Sequence, residues 1–517
     1  MRRNRSAVQE AESRMKFVVV IFDGLRARDV SPQLTPNLFA LRQEGTWLSR
    51  HVSGFPSETR VSAAALSSGS YCGRHGIVGN RFLDRVSTEA ILVNGADLGA
   101  LKSLGRGLQS RALTSKALGE SLAASGHRML SVGGQSSGAW GLTHWDGWSR
   151  DEFAYWCPDP LRHSDQASVV AQARCRPPLP EGEKPALQAA TALADVFLDT
   201  IRAEGLPAVS LLWFSEPDVS QHAFGLSAPE TREALMHADR QFGRILDWWQ
   251  QARRSEDIQL IVGSDHGQLT IGEKVSVSDT LSDAGFTVGP DFGNGCDIAL
   301  VSQRVAQLWV RDGDPSLARA AFECLAEQAW CGPSFSPADE GGNATIAGTF
   351  AYDTVFANHR RSPDLSVVLA DLEDDPAGSP EAKVYCDGRY PVGAGMHGGL
   401  NPEELTAVGL CAGSYFRENF VSTLPSGIVD LAPTILFGLG IPDWHDMEGR
   451  VLFETMNAPP KTWHQPSPER DPVSSAPGGR RGFTIDRVKL GPRVYIAGAK
   501  PNGSRTPEES RLDPSYA

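Results

Sequence analysis

The chain has 517 residues, 41% of them apolar and 12 of them Trp, which is ample for a large core and, by length, for roughly two to four domains. A formal charge of −13 argues against a nucleic-acid groove that works by bulk electrostatics, but leaves small anions open, since these need only local cations or metal. The eight cysteines (72, 157, 175, 296, 324, 331, 386 and 411) hold no CxxC pair, so neither a zinc-finger pattern nor a dense disulfide framework is present.

The N-terminal Met1-Arg2-Arg3-Asn4-Arg5 segment never reaches an adequate apolar leader core, and no run approaches the length of a membrane span. The expectation is a soluble, cytoplasmic protein with no membrane partner.

Residues 17–22 (Phe-Val-Val-Val-Ile-Phe) form a continuous β-branched and aromatic run, the pattern of a buried parallel strand, and end abruptly at Asp23-Gly24. Thr35 and Pro36 start a helix that Gly45 closes. Residues 47–52 read as the next strand, leading into a stretch rich in small and hydroxylated side chains between Pro56 and Gly69. There, a short helix over 61–66 starts just after Thr59. A threonine before a helix is most often a plain N-cap.

Residues 116–124 read as a helix and 128–132 as a strand, whereas 133–184 lacks periodicity and reads as a long loop region. A helix is predicted over 185–201, a buried strand over 208–214 and a long helix over 229–251. In that helix Leu235, Ala238, Phe242, Ile245 and Trp249 recur at spacings of 3 and 4. Residues 258–262 form the third buried strand, ending in Gly263-Ser264-Asp265-His266-Gly267.

Strands alternating with helices imply an α/β fold: a mostly parallel central sheet with helices on both faces. The character changes near Val277. Strands over 298–301, 307–310 and 365–369, with a helix over 316–329, suggest a smaller inserted α+β subdomain at 278–390. The catalytic domain is then 15–277 plus 391–455, with a helix over 428–439. Residues 456–517 read as a polar, partly disordered tail, with a linker over 459–479 and one edge strand over 487–497.

Three apolar strands thus end in, or within a few residues of, metal-type ligands: Asp23, then Asp218 with His222, then Asp265 with His266. His397 lies in the loop Gly395-Met396-His397-Gly398. Each has a bland reading alone, as a turn former, a helix start or a loop histidine. Delivered together to the carboxyl edge of a parallel sheet, where ligands bind, they form a pattern. Mixed carboxylate and imidazole ligands suit Zn²⁺, with Mn²⁺ or Fe as alternatives. Six such groups exceed one tetrahedral ion and suit two divalent ions about 4 Å apart, the arrangement used in phosphoryl transfer. A hydroxyl that attacks phosphorus must lose its proton, and metal coordination achieves this, so Thr59 fits as a metal-activated nucleophile.

With these residues in view, the chain resembles the alkaline phosphatase superfamily and, within it, the type I phosphodiesterase/nucleotide pyrophosphatase-like branch. The matching pieces are 20–24 (Val-Ile-Phe-Asp-Gly), 55–59 (Phe-Pro-Ser-Glu-Thr), 69–80, 216–222 (Glu-Pro-Asp-Val-Ser-Gln-His), 264–267 (Ser-Asp-His-Gly) and 396–398 (Met-His-Gly), in the family's order. Residues 428–442 resemble the segment that closes the domain.

The resemblance implies one metal held by Asp218, His222 and His397, and a second held by Asp23, Asp265, His266 and the Thr59 oxygen. It further implies in-line attack by Thr59 and a phosphothreonine-type intermediate.

The departures concern substrate. The nucleotide-processing members use an Asn some residues after the nucleophile, where this chain has Arg60, Val61 and Ser62; Asn80 is the first Asn downstream. Arg60 and Ser62 are therefore the candidate substrate-binding residues. His397-Gly398-Gly399-Leu400 also departs from the family ending, and Tyr71-Cys72 replaces a usual Tyr-Pro. The expected partner is a small phosphorylated substrate. The leading expectation is a phosphodiester or pyrophosphate hydrolase; the alternatives are a phosphomonoesterase or phosphonate hydrolase on the same core, or a catalytically silent metal-binding protein.

Overall fold

The computed structural model describes residues 15–502 except 86–89, 106–110, 151, 165, 177–178, 181, 373–381 and 476–480. Its centre is a sheet of eight strands: β1 (Lys16–Phe22), β2 (Thr46–Leu48), β3 (Met129–Gly133), β4 (Ala154–Trp156), β5 (Val209–Phe214), β6 (Ile258–Ser264), β7 (Gly409–Ala412) and β8 (Phe420–Ser422). The spatial order is β8-β2-β7-β6-β1-β5-β3-β4. Within this sheet only β7 runs against its neighbours.

The apolar run of β1 explains its central position. Phe17, Val19 and Ile21 point into one core, Val18, Val20 and Phe22 into another, so both faces are covered. Helix α1 (Pro36–Glu44), α3 (Leu187–Glu204) and α5 (Pro229–Ala252) pack on the second face, and α2 (Thr59–Ser68) on the first. The α5 residues Leu235, Ala238, Phe242, Ile245 and Trp249 are all buried, as their spacing requires.

Within the predicted insert, six strands from Val288–Gly289 to Leu365–Leu369 form a second sheet. One face packs on the helix Pro315–Leu325 around Leu308, Leu325 and Val367. The other gives Val305, Trp309 and Phe335 to the main core, so the two sheets share apolar contacts.

Three predictions differ from the structure. The predicted strand 47–52 is two short strands, β2 and His51–Val52, in different sheets. The predicted loop 133–184 holds the sheet-edge strand β4 and the helices Ser137–Thr143 and Ala167–Arg174. Short elements rich in Gly and Ser leave little periodicity, and tertiary packing decides them.

The C-terminal stretch is the largest correction. In place of a linker and one edge strand stands a four-stranded antiparallel sheet: Pro468–Arg470, Val473–Ser474, Phe483–Leu490 and Arg493–Pro501. The predicted strand 487–497 straddles its hairpin, where Gly491 adopts φ +59° to turn the chain. Phe483, Ile485 and Ile496 join the main core, and Tyr495 Oη donates to buried Asp430 at 2.9 Å. Residues 476–480 and 503–517 of the predicted tail lie outside the described residues, as do 1–14. Among the described residues no helix is long and apolar enough to cross a membrane.

Candidate active site

Strands β6, β1 and β5 are adjacent and parallel, with Phe22 in register with both Phe214 and Ser264. Their carboxyl ends therefore release the chain at one point. Asp23 follows β1, Asp218 opens the short helix α4 (Asp218–Phe224) just beyond β5, and Asp265-His266 follows β6. His397 arrives from the strand Gly395–Met396, which pairs with Leu269–Lys274 immediately beyond His266. Gly24 turns the chain after Asp23 at φ +68°; a Cβ there would meet Gln221, Gln268 and Asp218 at 3.0–3.1 Å. Its N–H donates to Asp265 Oδ1 at 2.9 Å.

The structure brings all six expected ligands together. Ligand atoms of Asp23, Asp265 and His266 lie within 4.8 Å of one another, and so do those of Asp218, His266 and His397. His222 joins through Asp218, its Nε2 3.3 Å from Oδ1. His266 thus stands between the two groups.

The three histidines share one orientation. Nδ1 of His222 faces Gly395 O at 2.7 Å, that of His266 faces Gly267 O at 3.0 Å, and that of His397 faces Ser57 O at 2.8 Å. An Nδ1–H donated to a carbonyl leaves the Nε2 lone pair free for a cation. Asp265 Oδ2 is buried with no hydrogen-bond donor. Asp23 is held by Trp213 Nε1 at 3.1 Å and Asp218 by Gln268 Nε2.

Burial, followed by the Asp265 and Asp218 carboxylates, pushes the Asp23 pKa well up. Asp218 is held below the usual carboxylate range: burial opposes this, but His222, His397 and His266 outweigh it. Burial and the neighbouring His266 push His397 well down, keeping it neutral. Buried carboxylates that repel one another, imidazole Nε2 atoms aimed inward and an orphaned Asp265 oxygen together fit divalent cations.

Thr59 is the first residue of α2, with Glu58 as the N-cap. Its hydroxyl does not cap the helix; Oγ1 lies 3.2 Å from His266 Nε2 and 3.5 Å from Asp23 Oδ1. Arg60 lines the cleft above, its Nε donating to Ser136 Oγ at 3.1 Å.

Ser62 does not reach the cleft. It is fully buried, its hydroxyl donating to Asp265 O at 3.0 Å and sitting 3.0 Å from Ser53 Oγ. Ser62 stands one residue after Val61 and three after Thr59, and the helix turns it inward against the end of β6. Its contact is with the backbone of a predicted ligand rather than with substrate.

Sequence reasoning missed Asn80 as a site residue. Its Oδ1 accepts from Arg60 N at 3.2 Å and its N–H donates to Glu58, which seats it in the cleft beside Thr59 with Nδ2 as its remaining donor. An Asn after Gly reads locally as a turn former, and only its place at the end of the 69–80 match hinted otherwise. Also unforeseen was buried Arg304, reaching from the second sheet to Glu404 Oε1 at 3.0 Å and Asp371 at 2.7 Å. Glu404 in turn accepts Gly399 N at 2.8 Å and so steadies the loop that carries His397.

The fold and site together define an α/β protein with a paired carboxylate–imidazole centre at the carboxyl edge of its sheet. This chain belongs to the type I phosphodiesterase / nucleotide pyrophosphatase family, which it matches over residues 17–399, more than half its length. It is 24% identical over 261 residues to ectonucleotide pyrophosphatase/phosphodiesterase family member 7 of Mus musculus, covering 50% of this chain and 52% of that protein. Against the Homo sapiens protein of the same name the identity is 25% over 271 residues, covering 52% and 51%. The chain spans about half the length of the curated relatives it matches. Murine ectonucleotide pyrophosphatase / phosphodiesterase 5 shares the fold, with TM-score 0.56, 16% identity and coverage of 82% of this chain and 95% of that one.

Proposed function

We propose that this chain is a metal-dependent hydrolase of phosphodiester or pyrophosphate bonds with Thr59 as its nucleophile. The observation that carries the reading is Thr59 Oγ1 lying within 3.5 Å of both His266 Nε2 and Asp23 Oδ1, in a buried group of metal-type ligands. Asp218, His222 and His397 would hold one ion, and Asp23, Asp265 and His266 with the Thr59 oxygen the other. Two bound dications, Zn²⁺ being the first candidate with Mn²⁺ or Fe next, would supply Lewis-acid stabilisation of charge on the reacting oxygens. Thr59 attacks in line, its oxygen replacing the leaving oxygen at phosphorus, and water then hydrolyses the phosphothreonine. Asn80 Nδ2 and Arg60 are the donors available to a non-bridging oxygen, the role first expected of Arg60 with Ser62.

Three further points rest on the same reading. The catalytic unit is 15–277 with 391–455, and the insert 278–390 roofs it, contributing Pro290, Leu300, Ser302, Gln303 and Gln307 to a cleft of about 570 Å³. The substrate is a small phosphorylated molecule. Free thiols at all eight cysteines fit a reducing compartment, although the relatives carry the prefix "ecto"; localisation of the tagged protein in its own cell decides between them.

The test is a panel of p-nitrophenyl phosphate, bis-p-nitrophenyl phosphate, a nucleoside p-nitrophenyl phosphodiester and phosphonoacetate, run with purified metal-loaded protein. The diesters should be cleaved fastest, and Thr59→Ala should abolish turnover while retaining bound metal. A Thr59→Ala variant as fast as wild type would sink the mechanism, and preference for the monoester or the phosphonate would favour the alternative reading.

A further inference from the structure

Above the ligand groups the cleft has Thr59, Asp218, His222 and His397 in its lining, with walls drawn from several further elements. Three of the lining elements bring one arginine each: Arg60 from α2, Arg81 from the start of the hairpin strand Arg81–Asp84, and Arg389 from the loop before His397. Among the described residues none of the three has an ion-pair partner. Arg60 Nε donates to a serine hydroxyl and Arg389 Nη2 to Tyr390 Oη. Apart from Asp218, Glu58 is the only carboxylate of the lining, and it already accepts the Asn80 N–H. Ser302 Oγ, in the wall from the second sheet, is buried and has no partner.

The same walls offer little stacking surface. Tyr390 is the only Phe, Tyr or Trp in the described lining. His222 lies parallel to its ring at 4.3 Å and 6°, and the Arg389 guanidinium stands 4.9 Å from the ring centroid. His222 and Arg389 thus crowd the one aromatic ring of the described lining, and no second ring is there to sandwich a flat base. A cationic substituent would meet three like charges, and a neutral one would leave them unused.

We propose that the substrate carries, beyond the attacked phosphorus, a compact second anionic group, a phosphate or a carboxylate, held by Arg81 and Arg389. This rests on the phosphoester reading above and narrows it: the distal part of the substrate is neither a stacked nucleobase nor a quaternary ammonium group. Arg60, next to Thr59, serves the reacting phosphoryl group, and the two outer arginines select the distal anion. In a chain of net charge −13 this local cationic rim is also what draws the substrate in.

The experiment compares p-nitrophenyl phosphodiesters that share one leaving group and differ only in the second substituent: methyl, choline, thymidine, carboxymethyl or 2-phosphoethyl. With metal-loaded wild type, kcat/KM for the carboxymethyl or the phosphoethyl ester should exceed that of the methyl ester by about tenfold or more, and the better of the two identifies the anion. In Arg81→Ala and Arg389→Ala the advantage should collapse toward the methyl value, mainly through KM, while the methyl ester itself changes little. A choline or thymidine ester faster than both anionic ones overturns the proposal, as does an advantage untouched by either substitution. Cleavage of the methyl ester without any anionic preference removes this inference and leaves the phosphodiesterase reading standing. Failure of wild type on all five esters removes both.

Discussion

The imidazoles of His266 and His397 stack with ring centroids 3.6 Å apart and 13° between their planes, although one follows β6 and the other the strand Gly395–Met396. Each turns Nδ1 to a backbone carbonyl, and their Nε2 atoms face Asp265 Oδ2 at 3.2 Å and Asp218 Oδ1 at 3.6 Å. The stack is where the two ligand groups meet.

Replacing His397 by Ala removes one nitrogen from the Asp218 group and leaves Asp23 and Asp265 in place. Bound metal should fall from about two equivalents toward one, and turnover by roughly a hundredfold or more. Elemental analysis of the desalted variant checks this; two equivalents retained would contradict the ligand assignment.

Trp213→Phe deletes the N–H that holds Asp23 Oδ2 while keeping an aromatic ring inside the sheet. A ligand that loses its orienting hydrogen bond typically binds metal about 10–100-fold more weakly. Titration of apo-protein with metal in a competing chelator measures the change, and affinity equal to wild type would show Asp23 to be positioned by other means.

Ser62→Ala separates a structural serine from a substrate-binding one. The hydroxyl supports the Asp265 backbone from a fully buried position, so its loss should cost about 1 kcal/mol of stability. KM should stay within about twofold of wild type, and a large rise in KM with unchanged stability would return Ser62 to the substrate.

Away from the site, two buried histidines and a partly buried one make stability acid-sensitive. Burial, with Arg450 nearby, lowers His51 to about 3; burial and His359 lower His75 to about 3; burial and Arg361 lower His359 to about 4. His51 Nε2 is buried without a partner, so a proton there would find no acceptor. The unfolded chain protonates these groups below about pH 6.5 while the native state does not, so stability is lost as pH falls from there toward 4. Denaturant titrations across that range should show the decline, and His51→Asn should make it shallower by up to about 1.4 kcal/mol per pH unit. An unchanged slope would mean that His51 is already accommodated when charged.

Much of this architecture was legible in one dimension because buried parallel strands write themselves as unbroken apolar runs. The runs 17–22, 208–214 and 258–262 each match a strand of the central sheet. The six candidate ligands were legible for a related reason: each stands at the end of a strand or a turn or two beyond it. Where elements are short or fill gaps, as with β4 and the C-terminal hairpin, composition misled. The Pro, Ser and Arg that resemble a linker there alternate with Phe483, Ile485 and Ile496, which only the assembled core could claim.

The sequence by itself determined that the metal-type side chains gather at the sheet edge, because residues following strands of one parallel sheet must emerge side by side. It also determined that Thr59 opens a helix beside them. Only the tertiary structure decided what surrounds that centre. It turned Ser62 beneath Asp265, carried Asn80 beside Thr59 and brought Arg304 under the His397 loop. It likewise gathered Arg60, Arg81 and Arg389 around one cleft. Those directions depend on packing between segments far apart in the chain, and no local pattern records them.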